Sequence, residues 1–177
     1  MRPIEREIAR YDWGGMLCGC GDSAEHVARD LLRTADGHGP EPAEDGLERH
    51  VWCSTHLWEP APAVAAVALA ALTEELPAPA RAWYLDLLHA LVAGEGSDFG
   101  SARRGLDLPE LCRDAARREL RLLHGQVMSH RSPRTAGSAF EILTVVEPDR
   151  ERLRRLRGRA AGWLPVCCRT GSCDDGW

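Results

Sequence analysis

An all-α protein is what this sequence predicts, built as antiparallel helix pairs with a separate C-terminal tail. Three observations point there. Apolar positions recur at helical spacing through most of the chain. Alanine and leucine dominate the apolar content, which favours helix over strand. Clusters of proline and glycine separate the periodic stretches. At 177 residues and 44% hydrophobic content, one domain can bury about two-thirds of the surface its unfolded chain exposes. No metal or disulfide is then required for folding.

Residues 1–21 end in a glycine-rich run, Gly14 to Gly21, which reads as a loop. Asp22 followed by Glu25 resembles a capping box, and Val27, Leu31 and Leu32 continue a helix to about Asp36. A second helix is expected from about Ala43 to Leu57, with Leu47, His50, Val51 and Ser54 at helical spacing. Pro62 sits where a first helical turn tolerates it, opening a helix whose apolar face holds Val64, Val67, Ala68, Ala71, Leu72 and Leu76. The clearest pattern runs from Ala80 to Val92, with Tyr84, Leu87, Leu88, Leu91 and Val92 at i, i+3, i+4, i+7 and i+8.

Residues 94–107 read as a polar connection. Pro109 opens a helix to about Met128, lined by Cys112, Ala116, Leu120, Leu123 and Val127. Another follows from Arg134 to Val146, and a last one from Pro148 to about Trp163. No strand pattern stands out. Residues 1–165 are expected to form the helical domain, and 166–177 a Cys-rich, aperiodic and mobile tail.

Helices 62–76 and 80–93 are joined by three residues, which makes them antiparallel neighbours. The pair at 109–128 and 134–146 repeats the arrangement about 47 residues later. Two-helix units at that period are the signature of a HEAT or armadillo solenoid. The competing arrangement is an irregular helical bundle.

Several segments carry a more specific likeness. They are Asp12-Trp13, Gly21 to Val27, His50-Val51, Leu57 to Val64, Leu91 to Glu95 and Cys112 to Arg117. With these, roughly residues 11–160 resemble a family of small HEAT-like proteins common in actinobacteria. The resemblance implies an α-α superhelix with no catalytic site, and some members resemble toxin-neutralising immunity proteins. The chain departs from the family at Ser54-Thr55, where Gln-Gly is frequent, and at Ala28, where proline is. Likeness of this kind speaks for fold more than for function.

The formal net charge is −5, and all 22 basic residues are arginine. That balance gives no general attraction to nucleic acid or anionic lipid. No stretch reaches the roughly 20 apolar residues of a membrane span, and acidic residues near Met1 replace the apolar core of a signal peptide. The expectation is a cytoplasmic protein with its seven cysteines reduced.

Four sets of residues could carry chemistry. His50, Cys53 and His56 would share a broad helical face, with Cys18 and Cys20 near enough to join them as zinc ligands. The Cys-x-Cys spacing is unusually short, and packing is the simpler role, so no metal or other cofactor is expected. The tail residues Cys167, Cys168, Thr170, Ser172 and Cys173 could form a thiol or modification segment, as in a precursor peptide behind a folded leader or a metal-carrying tail. Arg152, Arg155 and Arg159 share a face of the last helix and suggest DNA binding, against the acidic balance. Trp52, Trp58 and Trp83 are candidates for a protein-binding surface.

No Gly-x-Ser-x-Gly, His-Glu-x-x-His or phosphate loop is present. The sequence therefore points to a non-enzymatic module that binds another protein, with the precursor or carrier and the DNA-repair-like protein as alternatives.

Overall fold

The computed structural model describes residues 1–38 and 47–171. Ten helices pack together among them, with a sheet of three two-residue strands. At the centre lies α3 (Ala61–Leu72), Pro60-capped and opened by Pro62 in its first turn. It is apolar all round, and Ala61, Ala63, Val64, Ala65, Val67, Ala68, Leu69, Ala71 and Leu72 are buried. A helix of that kind must be surrounded. Its neighbours are α1 (Pro3–Ile8), α2 (Glu25–Ala35), α4 (Ala78–Val92) and α6 (Leu108–Arg118).

The stack continues outward. α4 packs on α8 (Pro133–Val146), and α8 packs on α7 (Leu120–Met128). Tyr84 and Phe140 are fully buried; the Tyr84 hydroxyl donates to the Leu31 carbonyl of α2, and burial of the Phe140 ring contributes roughly 1.5–3 kcal/mol. Aspartate or serine caps open several of the later helices. Ser132 accepts from the Thr135 amide to start α8, and Asp149 accepts from the Arg152 amide to start α9 (Arg150–Ala160).

One buried cation closes the end of α3. Arg81 donates to the carbonyls of Leu72 at 3.2 Å and Glu74 at 2.7 Å, and to Gln126 Oε1 at 3.1 Å. Gln126 Nε2 donates to the same Leu72 carbonyl. A cation among the last carbonyls of a helix matches the negative end of its dipole, and burial lowers the pKa of this guanidinium.

Helices lie where the sequence placed 62–76, 80–93, 134–146 and 148–163, but α3 ends at Leu72 and α9 spans only Arg150–Ala160. Other expectations need correction. The segment expected to be helical from Ala43 to Leu57 is not helical over its described part, 47–57; residues 43–46 lie outside the described residues. Trp52–Cys53 (β1) and His56–Leu57 (β2) pair antiparallel there, and β2 pairs in parallel with Gly96–Ser97 (β3). Arg49 and Ser54 have positive φ, +71° and +55°, which no helix admits.

The polar connection at 94–107 contains β3 and the short α5 (Phe99–Arg103). The expected helix 109–128 is two helices that meet at Glu119, whose φ and ψ of −113° and 27° break the run. The N-terminal loop begins with α1. The tail is ordered at its start, where Val166–Thr170 form α10 and Cys168 is fully buried. Ser172 and Cys173 lie outside the described residues.

Candidate metal centre

The glycine-rich loop makes a tight turn around two thiols. The Cys18 amide donates to the Asp22 carbonyl, and the Gly21 amide donates to the Cys18 carbonyl, each near 3 Å. Gly21 takes φ +88°, which a side chain would strain. Leu17 and Ser23 bridge antiparallel at the base of the turn. The backbone thus presents Cys18, buried, and Cys20, exposed, from the same turn.

Two histidines reach this turn from different places. His26 lies in the first turn of α2. His50 comes from the turn before β1, and is tied to the loop because its carbonyl accepts from the Gly19 amide at 2.9 Å. That approach leaves no room for a side chain at residue 19. A Cβ there would lie 1.8 Å from the Arg49 carbonyl oxygen and 2.6 Å from Trp58 Nε1.

One ligand atom from each of Cys18, Cys20, His26 and His50 lies within 4.8 Å of the others. Cys18 Sγ is 3.6 Å from His50 Nδ1, and His26 Nε2 is 3.1 Å from His50 Nδ1. A tetrahedral zinc with bonds of about 2.0 Å to nitrogen and 2.3 Å to sulfur spaces its ligands about 3.3 Å apart for two nitrogens and about 3.6 Å apart for nitrogen and sulfur. Both separations fit within a few tenths of an ångström.

The orientation fits as well. His26 Nδ1 is 2.9 Å from the Ser23 carbonyl oxygen. A carbonyl only accepts, so Nδ1 carries the hydrogen and Nε2 turns its lone pair toward His50 and the thiols. Such a carbonyl behind a histidine is the usual arrangement for fixing the tautomer of a metal ligand. The Cys18 thiol, and then burial, hold the Cys20 thiol above its ordinary pKa. A cation among these groups would replace thiol protons as it bound.

The centre differs from the set considered on sequence grounds. Cys18, Cys20 and His50 do meet, but Cys53 and His56 sit on β1 and β2 outside the group. Their helical spacing was only apparent, because the segment is paired strand. His26 takes the fourth place. The sequence reading took from α2 only its capping box and the apolar stripe of Val27, Leu31 and Leu32, and so missed it.

The tryptophans do not share a surface. Trp52 packs against the core from β1. Trp58 borders a cavity of about 300 Å³ walled by Cys18 and Gly19, with Glu59, Asp98 and Arg104 across it. Trp83 borders a separate cavity of about 310 Å³ with Pro77, Pro79, Asp86 and Arg134. Of the arginines on α9, Arg152 faces Glu147 and Asp149, while Arg154 and Arg155 share Glu151. No family model matches the chain, and no curated or structurally solved protein is significantly similar to it.

Proposed function

We propose that the protein is a zinc-stapled helical scaffold that acts by binding another protein and not by catalysis. The observation that carries this reading is the convergence of Cys18, Cys20, His26 and His50. Two thiolates and two imidazoles form a set that zinc takes readily. All four positions are filled by protein, as in structural zinc sites; catalytic ones keep a position open for water or substrate. The metal joins three stretches, the Cys18–Asp22 turn, the start of α2 and the turn before β1. Its work is to hold that face of the molecule in one shape.

The helical body fits the rest of the reading. Helix pairs packed around α3, α4 and α8 support a short HEAT-like stack, whose role in other settings is to offer surface. Leu17, 59% exposed, stands at the edge of the zinc turn beside the cavity that holds Trp58. This is the place for a partner to dock. A net charge of −5 steers it toward a basic partner in the cytoplasm, as an immunity-type protein would meet a basic toxin.

The test is metal analysis with cobalt substitution. Protein purified without chelators under reducing conditions carries zinc. Cobalt reconstitution gives the strong visible bands of a tetrahedral site together with thiolate charge transfer, and C18S abolishes both. Wild-type protein that holds no zinc above background after growth in zinc-supplemented medium would end this reading.

A further inference from the structure

A second group of ligating side chains lies away from the zinc turn, where the C-terminal helix meets the body. α10 is seated closely on α8. A Cβ at Gly137 would come within 2.8 Å of Pro165 Cγ and 4.0 Å of Cys168 Sγ. One turn further along α8 stands Glu141, and its Oε1 is 3.9 Å from Cys168 Sγ. Cys167 Sγ is 3.9 Å from Cys168 Sγ. The three ligand atoms fall within 4.8 Å of one another, with Cys168 buried, Glu141 half-buried and Cys167 exposed. From α4, His89 Nδ1 lies 3.9 Å from the other Glu141 oxygen.

We infer that Cys167, Cys168 and Glu141 form a second zinc site, three-ligand and exchangeable, that pins α10 to α8. The spacing suits a tetrahedral ion. Two sulfurs on one zinc lie about 3.8 Å apart, and sulfur and carboxylate oxygen about 3.6 Å apart. The donor set also suits zinc. Thiolates alone suit zinc, monovalent copper and iron–sulfur clusters alike, while a carboxylate beside them and an imidazole at the edge favour the borderline divalent cation among these.

With three ligands from protein, one position stays open to water or to His89. With three protein ligands against four at the Cys18 centre, this zinc exchanges where that centre holds. Zinc here controls whether α10 stays on the helical body.

The experiment uses the full chain, stripped by chelator under reductant and titrated with zinc against a chromophoric chelator. Wild-type protein is expected to take two equivalents of unequal affinity. C167S, at an exposed position that should leave the fold intact by circular dichroism, loses the weaker equivalent. E141Q weakens that equivalent by about tenfold or more, because a lost ligand costs at least what a lost supporting group does. C18S loses the tighter equivalent and keeps the weaker one. Equal uptake by wild type and C167S overturns the proposal, as does a weaker equivalent unmoved by E141Q. Wild type with one equivalent, lost in C167S but kept in C18S, supports this site and removes the Cys18 centre; the reverse pattern removes this site alone.

Discussion

His26 Nε2 stands 3.1 Å from Nδ1 of His50, although 24 positions separate them in the chain. Their rings meet edge to face with centroids 4.6 Å apart. With His26 Nδ1 bound to the Ser23 carbonyl, two ring nitrogens and two thiols converge on one point. The proposed cation would sit at that point and tie the start of α2 to the turn before β1.

Removing the metal should loosen the fold. A ligand present at about 100 times its Kd stabilises by about 2.7 kcal/mol. For a chain of this size 1 kcal/mol moves Tm by roughly 2–4 °C. Chelated protein should therefore melt about 5–11 °C below the zinc-loaded form by calorimetry. Identical melting curves would show that the cluster binds nothing that matters to the fold.

Gly19→Ala should be among the most damaging small changes in the molecule. The new Cβ would collide with the Arg49 carbonyl oxygen, next to His50. Separating His50 from Cys18 should weaken zinc by about tenfold or more and cost about 2 kcal/mol or more in urea denaturation. Gly162→Ala is the control, since nothing lies within 4 Å of a Cβ there. Equal behaviour of the two variants would contradict the packing described.

Arg81→Ala tests the buried network beyond α3. It strips hydrogen bonds from the Leu72 and Glu74 carbonyls and from Gln126. Gln126 Nε2 still donates to the Leu72 carbonyl, but the Glu74 carbonyl and Gln126 Oε1 lose their donor; at about 1–3 kcal/mol for each acceptor left unsatisfied, a loss of about 3 kcal/mol is expected. Conversely, a denaturation midpoint close to wild type would mean that water satisfies these groups.

Stability should fall at high pH through Cys112. Burial pushes its thiol from 9.0 up to about 12. A folded-state pKa above the unfolded value means that the native chain keeps a proton the unfolded chain has released. The stabilisation is complete below about pH 9 and is lost as pH rises toward about 12. Cys112→Ala should flatten that alkaline limb in pH-dependent unfolding. The same thiol should resist thiol reagents at pH 8, while exposed Cys53 reacts.

Much of the fold was legible because α3, α4 and α8 announce themselves through apolar spacing and proline placement. The stretch 47–57 was not, since its apolar residues also fit a helical period. What decides it is backbone geometry at Arg49 and Ser54, together with pairing to Gly96–Ser97, a partner about 40 residues away. The site was half visible for a similar reason. Cys18 and Cys20 are close in sequence and His50 drew notice, but His26 joins them only when α2 is laid against the loop. Neither Cys-x-Cys nor the spacing of the two histidines carries that information by itself.

Zinc-edge X-ray absorption on the C167S protein, which isolates the Cys18 centre, tests the central claim most directly. Two sulfur neighbours at about 2.3 Å and two nitrogen neighbours at about 2.0–2.1 Å are the expected shell. A shell of nitrogen and oxygen alone, or protein that retains no zinc, would contradict the account.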